Sequence, residues 1–263
     1  MPVRASPRTP PIGPGKTRRD SVLVMRAFVD LHCHSRGSFD SLSAPKDIVK
    51  AAHDRGLTHL AITDHDRIDV ALEARELAPA GLTVIVGEEV KTLDGDLICV
   101  FLDKAIPPGL SAVETIAAAR EQGGLVGIPH PFDRMRGSLL RDASMASLAP
   151  LVDWVETHNA RVVGHGNEDA QAFSLEHGLP GIAVSDAHSI MEIGVAYVAV
   201  DGDPSTPAGL LAALAGLEVI PGRASYFVRL WTPIAKGVNR ARGNRRVRPS
   251  STDGPPAGSA DPS

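Results

Sequence analysis

The sequence predicts one α/β domain built from repeated βα units around a parallel sheet, and three observations carry that expectation. Short apolar, β-branched runs alternate with amphipathic or Ala-rich stretches, the pattern left by strands that are followed by covering helices. A chain of 263 residues, 43% hydrophobic and 22% charged, has enough apolar side chains for one barrel-sized core. Neither a sequence repeat nor an internal domain boundary interrupts residues 27–235.

Strands are expected at residues 27–34, 58–63, 82–90, 96–102, 125–129, 151–157, 181–185 and 195–200. A helix follows Ser43 and ends near Gly56. Another begins at Ser111, where Ser111 and Glu114 have the spacing of a capping box, and stops at Gly123 and Gly124. Only the short turn Asp94-Gly95 separates the third and fourth strands, so that connection reads as a hairpin rather than a crossover.

The two ends of the chain read differently from the middle. Residues 1–26 and 236–263 lack apolar periodicity and are rich in Pro, Gly, Ser and Arg, so they are expected to be disordered basic tails, with Met25 an alternative start. These tails carry +5 and +4, which leaves −13 on residues 27–235 within a formal total of −4. Such a core repels anionic substrates unless bound cations invert the local field. Residues 236–248 hold six basic side chains and no acid, and a solvated tail is preferred to a nucleic-acid-binding one. No apolar run reaches the roughly 18 residues of a membrane helix and no signal-peptide core is present, so a cytoplasmic location without a membrane partner is expected. Cys33 and Cys99 sit in strand-like segments and read as buried free thiols.

Metal-binding residue types recur where the expected strands end: His32 and His34, Asp64 and His65, Glu89, His130, Glu156 with His158, and Asp186 with His188. Asp96 opens its strand instead, as a reversed strand must if it is to reach the same rim. In parallel α/β barrels the carboxyl ends of the strands share one mouth, so these residues converge although they are distant in sequence. His32-Cys33-His34 turns two imidazoles to one face of an extended segment and Cys33 to the other. Asp186-Ala187-His188 repeats the arrangement with a hard oxygen and a nitrogen donor. His53, His59, His165 and His177 fall on helices, at a helix end or within a strand and read as ordinary residues; His158 reads as a packing or substrate-contact residue before a ligand.

The segments Val29-Asp30-Leu31-His32-Cys33-His34-Ser35, Thr63-Asp64-His65-Asp66, Gly87-Glu88-Glu89-Val90, Pro129-His130-Pro131 and Ser185-Asp186-Ala187-His188 resemble, in order, the motifs of the polymerase-and-histidinol-phosphatase (PHP) family of metal-dependent phosphoesterases. The resemblance implies a distorted seven-stranded α/β barrel, similar to a TIM barrel, holding two or three divalent ions: zinc, manganese or iron. It implies His32, His34, Asp40, His65, Glu89, His130, Asp186 and His188 as the ligands, with Glu89 bridging. Glu88 competes by type, but strand alternation turns it to the face opposite Glu89. Asp96 stands where many members have a histidine ligand, so three ions are less secure than two. About twenty residues separate Leu102 from Leu125, where nucleotide-cleaving relatives often carry an inserted domain.

The implied activity is hydrolysis of phosphate esters by metal-activated water, the ions also neutralising the phosphoryl oxygens. Asp64, His65 and His188 are candidates for the acid or orienting group at the leaving oxygen. Arg134, ahead of Arg36 and Arg136, is the candidate phosphate contact. The acidic core and low aromatic content favour a small phosphomonoester or nucleotide over a long nucleic acid. Three readings compete: an exonuclease-type phosphodiesterase, an amidohydrolase using a strand-end lysine such as Lys91, and a noncatalytic module whose metals staple the fold.

Overall fold

The apolar runs become strands of a single, nearly closed sheet. In the computed structural model, which describes residues 25–133, 142–229 and 231–246, β1 (Arg26–Asp30), β2 (His59–His65) and β3 (Thr83–Lys91) lie parallel, connected by α1 (Pro45–Asp54) and α2 (Asp69–Leu77). Then β4 (Asp96–Val100) returns antiparallel on β3 through the expected Asp94-Gly95 turn. After α3 (Ala112–Glu121), whose capping box at Ser111 and Glu114 is formed, β5 (Leu125–Ile128) pairs antiparallel with β4. Parallel pairing resumes in β6 (Trp154–Asn159) and β7 (Gly181–Val184), which follow α4 (Asp142–Leu148) and α5 (Gly166–His177).

Two strands lie beyond the seven of the family's barrel, one of them expected at 195–200 and the other outside every expected run. Strand β8 (Tyr197–Asp201) runs antiparallel along β1, and β9 (Glu218–Ile220) pairs with β8 beyond α6 (Pro207–Leu214). The spatial order is β7-β6-β5-β4-β3-β2-β1-β8-β9. Past Asp30 the chain leaves β1 early, and a parallel bridge between Cys33 and Ala187, with His34 N–H donating to Ala187 O at 2.8 Å, draws the two ends of the barrel together. This is why the expected strand at 27–34 stops at Asp30.

Two apolar layers follow from the period of two along each strand. Leu60, Ile62, Val84, Val86, Leu97 and Cys99 pack outward with Ile48, Ala71 and Ile116 of the helices; Ala61, Ile85, Ile98, Val100, Trp154 and Ile182 face the barrel interior. Gly127 makes room for the largest of these. A Cβ there would lie 2.1 Å from Trp154 Nε1, so only a glycine lets the indole lie across β5.

The carboxyl-terminal boundary expected at residue 235 falls inside a helix. After α7 (Tyr226–Arg229), α8 (Trp231–Ala241) runs straight through it. Its inward stripe is Ala235 and Asn239, four residues apart, while Lys236 and Arg240 of the same helix are exposed. Asn239 Nδ2 donates to the carbonyls of Ser38 (3.1 Å) and Ser41 (2.9 Å), so its burial leaves no donor unsatisfied. Beyond the helix, Asn244 Nδ2 donates to Gly37 O at 3.1 Å. No helix among the described residues is long and apolar enough to cross a membrane.

Candidate metal centre

The ends of β1, β2, β3, β5 and β7, with the loop before α1, deliver the ligand candidates to one place. Strand alternation decides which neighbours enter. Ala61 faces the interior, so Thr63 and His65 follow it inward while Asp64 turns outward with Leu60 and Ile62; likewise Ile85, Gly87 and Glu89 face in and Glu88 faces out. Two further ligand candidates follow strand ends in left-handed backbone, His130 at φ 28° and Asp186 at φ 50°, a conformation that L-residues hold only when the surroundings enforce it.

The donor atoms form two sets that share no residue, each within 4.8 Å: His34, Asp40, His65 and His188 in one, His32, His130 and Asp186 in the other. Glu89 joins His32 and His34 in a third set that spans the two. All eight residues are buried, His65 being the most exposed at 8%.

Hydrogen bonds fix which atoms point at the centre. His32 Nδ1 donates to Glu156 Oε1 at 2.7 Å. His34 Nδ1 donates to Ser38 Oγ at 2.9 Å, because the Ser38 hydroxyl proton is given to Asp64 Oδ1 at 2.6 Å. Nε2 of His32 and Nε2 of His34 therefore both present lone pairs, and they face each other at 3.0 Å. That juxtaposition is repulsive unless a cation or proton lies between. His188 Nδ1 donates to the Asp186 carbonyl at 2.9 Å, which leaves its Nε2 directed at Asp40 Oδ2, 3.4 Å away.

These residues fit divalent metal ions. Asp40 Oδ1, Glu89 Oε2, His65 Nδ1 and His130 Nδ1 are buried without a hydrogen bond, a costly state that coordination relieves. Donors on a tetrahedron about 2.1 Å from its centre lie about 3.4 Å apart. His34 Nε2 is 3.3 Å from Glu89 Oε2 and 3.4 Å from Asp186 Oδ1.

The centre's charge state without ions follows from burial and these neighbours. Burial disfavours a charged His32, but the carboxylates of Glu156 and Asp186 outweigh it and hold the imidazole well above its usual pKa. His34 rises to about 9, hydrogen bonds to Asp186 and Glu89 overcoming burial. His188 falls to about 3 through burial and the charge of Arg161. Outside the centre, burial lifts Glu88 to about 8, and its Oε2 accepts the Ile106 N–H at 2.8 Å.

Several expected roles change. Asp64, a candidate at the leaving oxygen, lies behind the histidines, where it accepts from Ser35 N, Ser35 Oγ, Ser38 N and Ser38 Oγ. It positions His34 through Ser38. Asp96, an expected metal ligand, is gripped instead by Arg246, whose Nη1 and Nη2 donate to its two oxygens at 3.0 and 2.7 Å. His158 bonds the Gly222 carbonyl at 2.7 Å, away from the centre. Arg36 pairs with Glu73 at the surface, and Lys91 Nζ lies 3.9 Å from Asp96. Arg134 and Arg136 lie outside the described residues.

Sequence reading passes over Ser38, Asn159 and Arg246, and it gives Glu156 only a residue type. Glu156 was grouped with the ligand types, yet it orients them: besides His32 it accepts from His130 N at 2.7 Å and Asn159 Nδ2 at 2.9 Å, and Asn159 also donates to Asp186 Oδ2 at 3.1 Å. Its signal was the Glu156-x-x-Asn159 pair at a strand end. Ser38 had one too, four residues past His34. Arg246 had none, because it sat in a run that read as tail.

The PHP domain matches residues 30–137 and the PHP-associated region matches residues 164–217. Uncharacterized protein MJ0417 of Methanocaldococcus jannaschii is 32% identical over 174 residues, 65% of this chain and 69% of that protein. A 5'-3' exoribonuclease of Haemophilus influenzae is 29% identical over 161 residues, 55% of this chain and 54% of that protein. A two-domain Bacteroides vulgatus protein, described as containing a predicted PHP-like metal-dependent phosphoesterase, has a TM-score of 0.64 at 20% identity over 79% of this chain and 70% of that one. The structural likeness shows the fold, and with both matched regions and all five motifs in order, the chain belongs to the PHP domain family.

Proposed function

We propose that this protein is a metal-dependent phosphoesterase acting on a small phosphomonoester or nucleotide. The observation that carries the reading is the convergence of buried lone pairs at the barrel mouth beside a cavity of about 290 Å³. His65 borders both. Arg67, Arg245 and Arg246 line that cavity with Asp66, Asp69, Phe39 and Asn244; Arg67 is paired with Asp69 and Arg246 with Asp96, and Arg245 adds positive charge to the lining. Bound divalent ions would supply an activated water and neutralise the phosphoryl oxygens. The chain's own residues orient and enclose: Glu156 and Ser38 hold His32 and His34, and Phe39 stacks on His65 with ring centroids 4.8 Å apart. Lys236 Nζ lies 4.0 Å from Asp40 Oδ2 and adds positive charge to the rim.

The cavity is of the size that holds a small ligand rather than a polymer, which supports the monomeric substrate. The exoribonuclease relative supports a second reading, removal of terminal nucleotides from a chain. Kinetics of the ion-loaded protein on sugar phosphates, mononucleotides, 3′,5′-bisphosphates and single-stranded oligonucleotides of increasing length decides between them. Highest kcat/KM on a small compound is expected. Efficiency that climbs with oligonucleotide length assigns the exonuclease reading, and hydrolysis of none of these leaves the noncatalytic metal-stapled module.

A further inference from the structure

Asp96 and Asp66 flank the centre on the side of Glu89, and neither belongs to a ligand set. By strand parity Asp96 faces the interior with Ile98, as Glu89 does. Asp66, in left-handed backbone at φ 56°, accepts the Lys91 N–H on Oδ1 and is 3% exposed at its side chain. Two carboxylates with side chains this little exposed, both in contact with one guanidinium, call for a cation between them. The guanidinium of Arg246 fills the gap: both Nη atoms donate to Asp96, and Nε lies 3.6 Å from Asp66 Oδ2. Its segment is anchored to the metal loop itself, because Asn239 and Asn244 bond the carbonyls of Gly37, Ser38 and Ser41, and Ser38 is the residue that orients His34.

We propose that Arg246 is a built-in cation: docked between Asp96 and Asp66, it takes the place of a further metal ion, so the centre binds two ions and residues 236–246 form part of it. The inference rests on the metal-centre reading above. Arg246 keeps Asp96 from ligating, and its charge is met there by the carboxylates of Asp96 and Asp66.

The test counts ions on the full chain, stripped with chelator, reloaded with Mn²⁺, dialysed and measured by elemental analysis, with calorimetric titration alongside. Wild type is expected to hold two ions. Arg246→Gln should rise to three, the added ion binding more weakly, and Arg246→Gln with Asp96→Asn should return to two. Asp96→Asn alone should stay at two, which keeps the inference testable if the Arg246 variant does not fold. Three ions in wild type, two in a folded Arg246→Gln, or a lost ion in Asp96→Asn would each overturn it. Two ions in wild type together with either of the last two results sinks this inference alone; no ion in wild type sinks the metal centre with it.

Discussion

The two ligand sets differ in what encloses them. His32, His130 and Asp186 lie at the bottom, at most 1% exposed, each tied to the pair Glu156 and Asn159. His34, Asp40, His65 and His188 lie toward the solvent, with His65 on the cavity, Lys236 beside Asp40 and Phe39 stacked over His65. The inner set is held by a strand-end carboxylate inside the sheet. In the outer set His34 and Asp40 lie in the loop that Asn239 of α8 holds, while His65 ends β2 and His188 follows β7. The difference teaches that one half of the centre is built by the barrel and the other by the barrel together with what packs over its mouth.

The comparison is broken most severely by removing an inner ligand that also belongs to the bridging set. His32→Ala should lose both ions and lower kcat/KM on the order of 10³-fold, since metals contribute several kcat-determining kcal/mol of charge stabilisation, checked by elemental analysis and steady-state kinetics. Asp40→Ala should be milder in one respect: the outer ion goes and the inner one stays, so ion content falls from two to one per chain while the inner set persists. Retention of both ions would show that Asp40 only lines the rim.

Glu156→Gln leaves every ligand in place but weakens its orientation. Affinity for the inner ion should drop by about 10- to 100-fold with little change at the outer one, measured by competition with a chelator of known affinity.

Acidity distinguishes the ion-free from the loaded protein. The folded-state pKa of His34 is raised to about 9, so its contribution to stability is fully present below the ordinary histidine value and is lost as pH rises through 9. Glu88, raised to about 8, acts in the same direction, because from the ordinary glutamate value up to about 8 the unfolded chain gives up a proton that the folded chain keeps. Stripped protein should therefore lose melting temperature between about pH 6.5 and 9. Ions compete with the His34 proton, so their affinity should rise over the same interval, with proton release visible as a buffer-dependent calorimetric enthalpy. A melting temperature of the stripped protein that climbs through this window would contradict the assignment. The smallest effect belongs to His53→Ala, on the outer half-exposed face of α1, where ion content and kcat/KM should stay at wild-type values.

How much was legible depended on how far each residue lies from its partners. Glu89 was separable from Glu88 because alternation acts between adjacent residues, and the same rule, applied one strand earlier, already turned Asp64 away from His65. By residue type alone Asp64 is a candidate at the leaving oxygen, and parity removes it from the interior. Asp40 required the family resemblance, having no strand to place it. Asp96 showed its face but not its partner, which is 150 residues away and becomes adjacent only once α8 has packed.

By itself the sequence determined eight of the nine strands, the hairpin at Asp94-Gly95, the order of the motifs and the residue types delivered to the mouth. Those are local properties: apolar runs of period two set a strand, and the residue after its last apolar position falls on the rim. Only the tertiary structure decided that Glu156 meets the Nδ1 of His32, that Asp64 stands behind His34, and that Arg246, from a basic run that reads as a tail, meets Asp96. The reason is physical. A carboxylate has the same chemistry whether it meets an imidazole N–H, a hydroxyl, a guanidinium or a metal ion, and which of them it meets is set by packing between elements that the chain brings together only on folding.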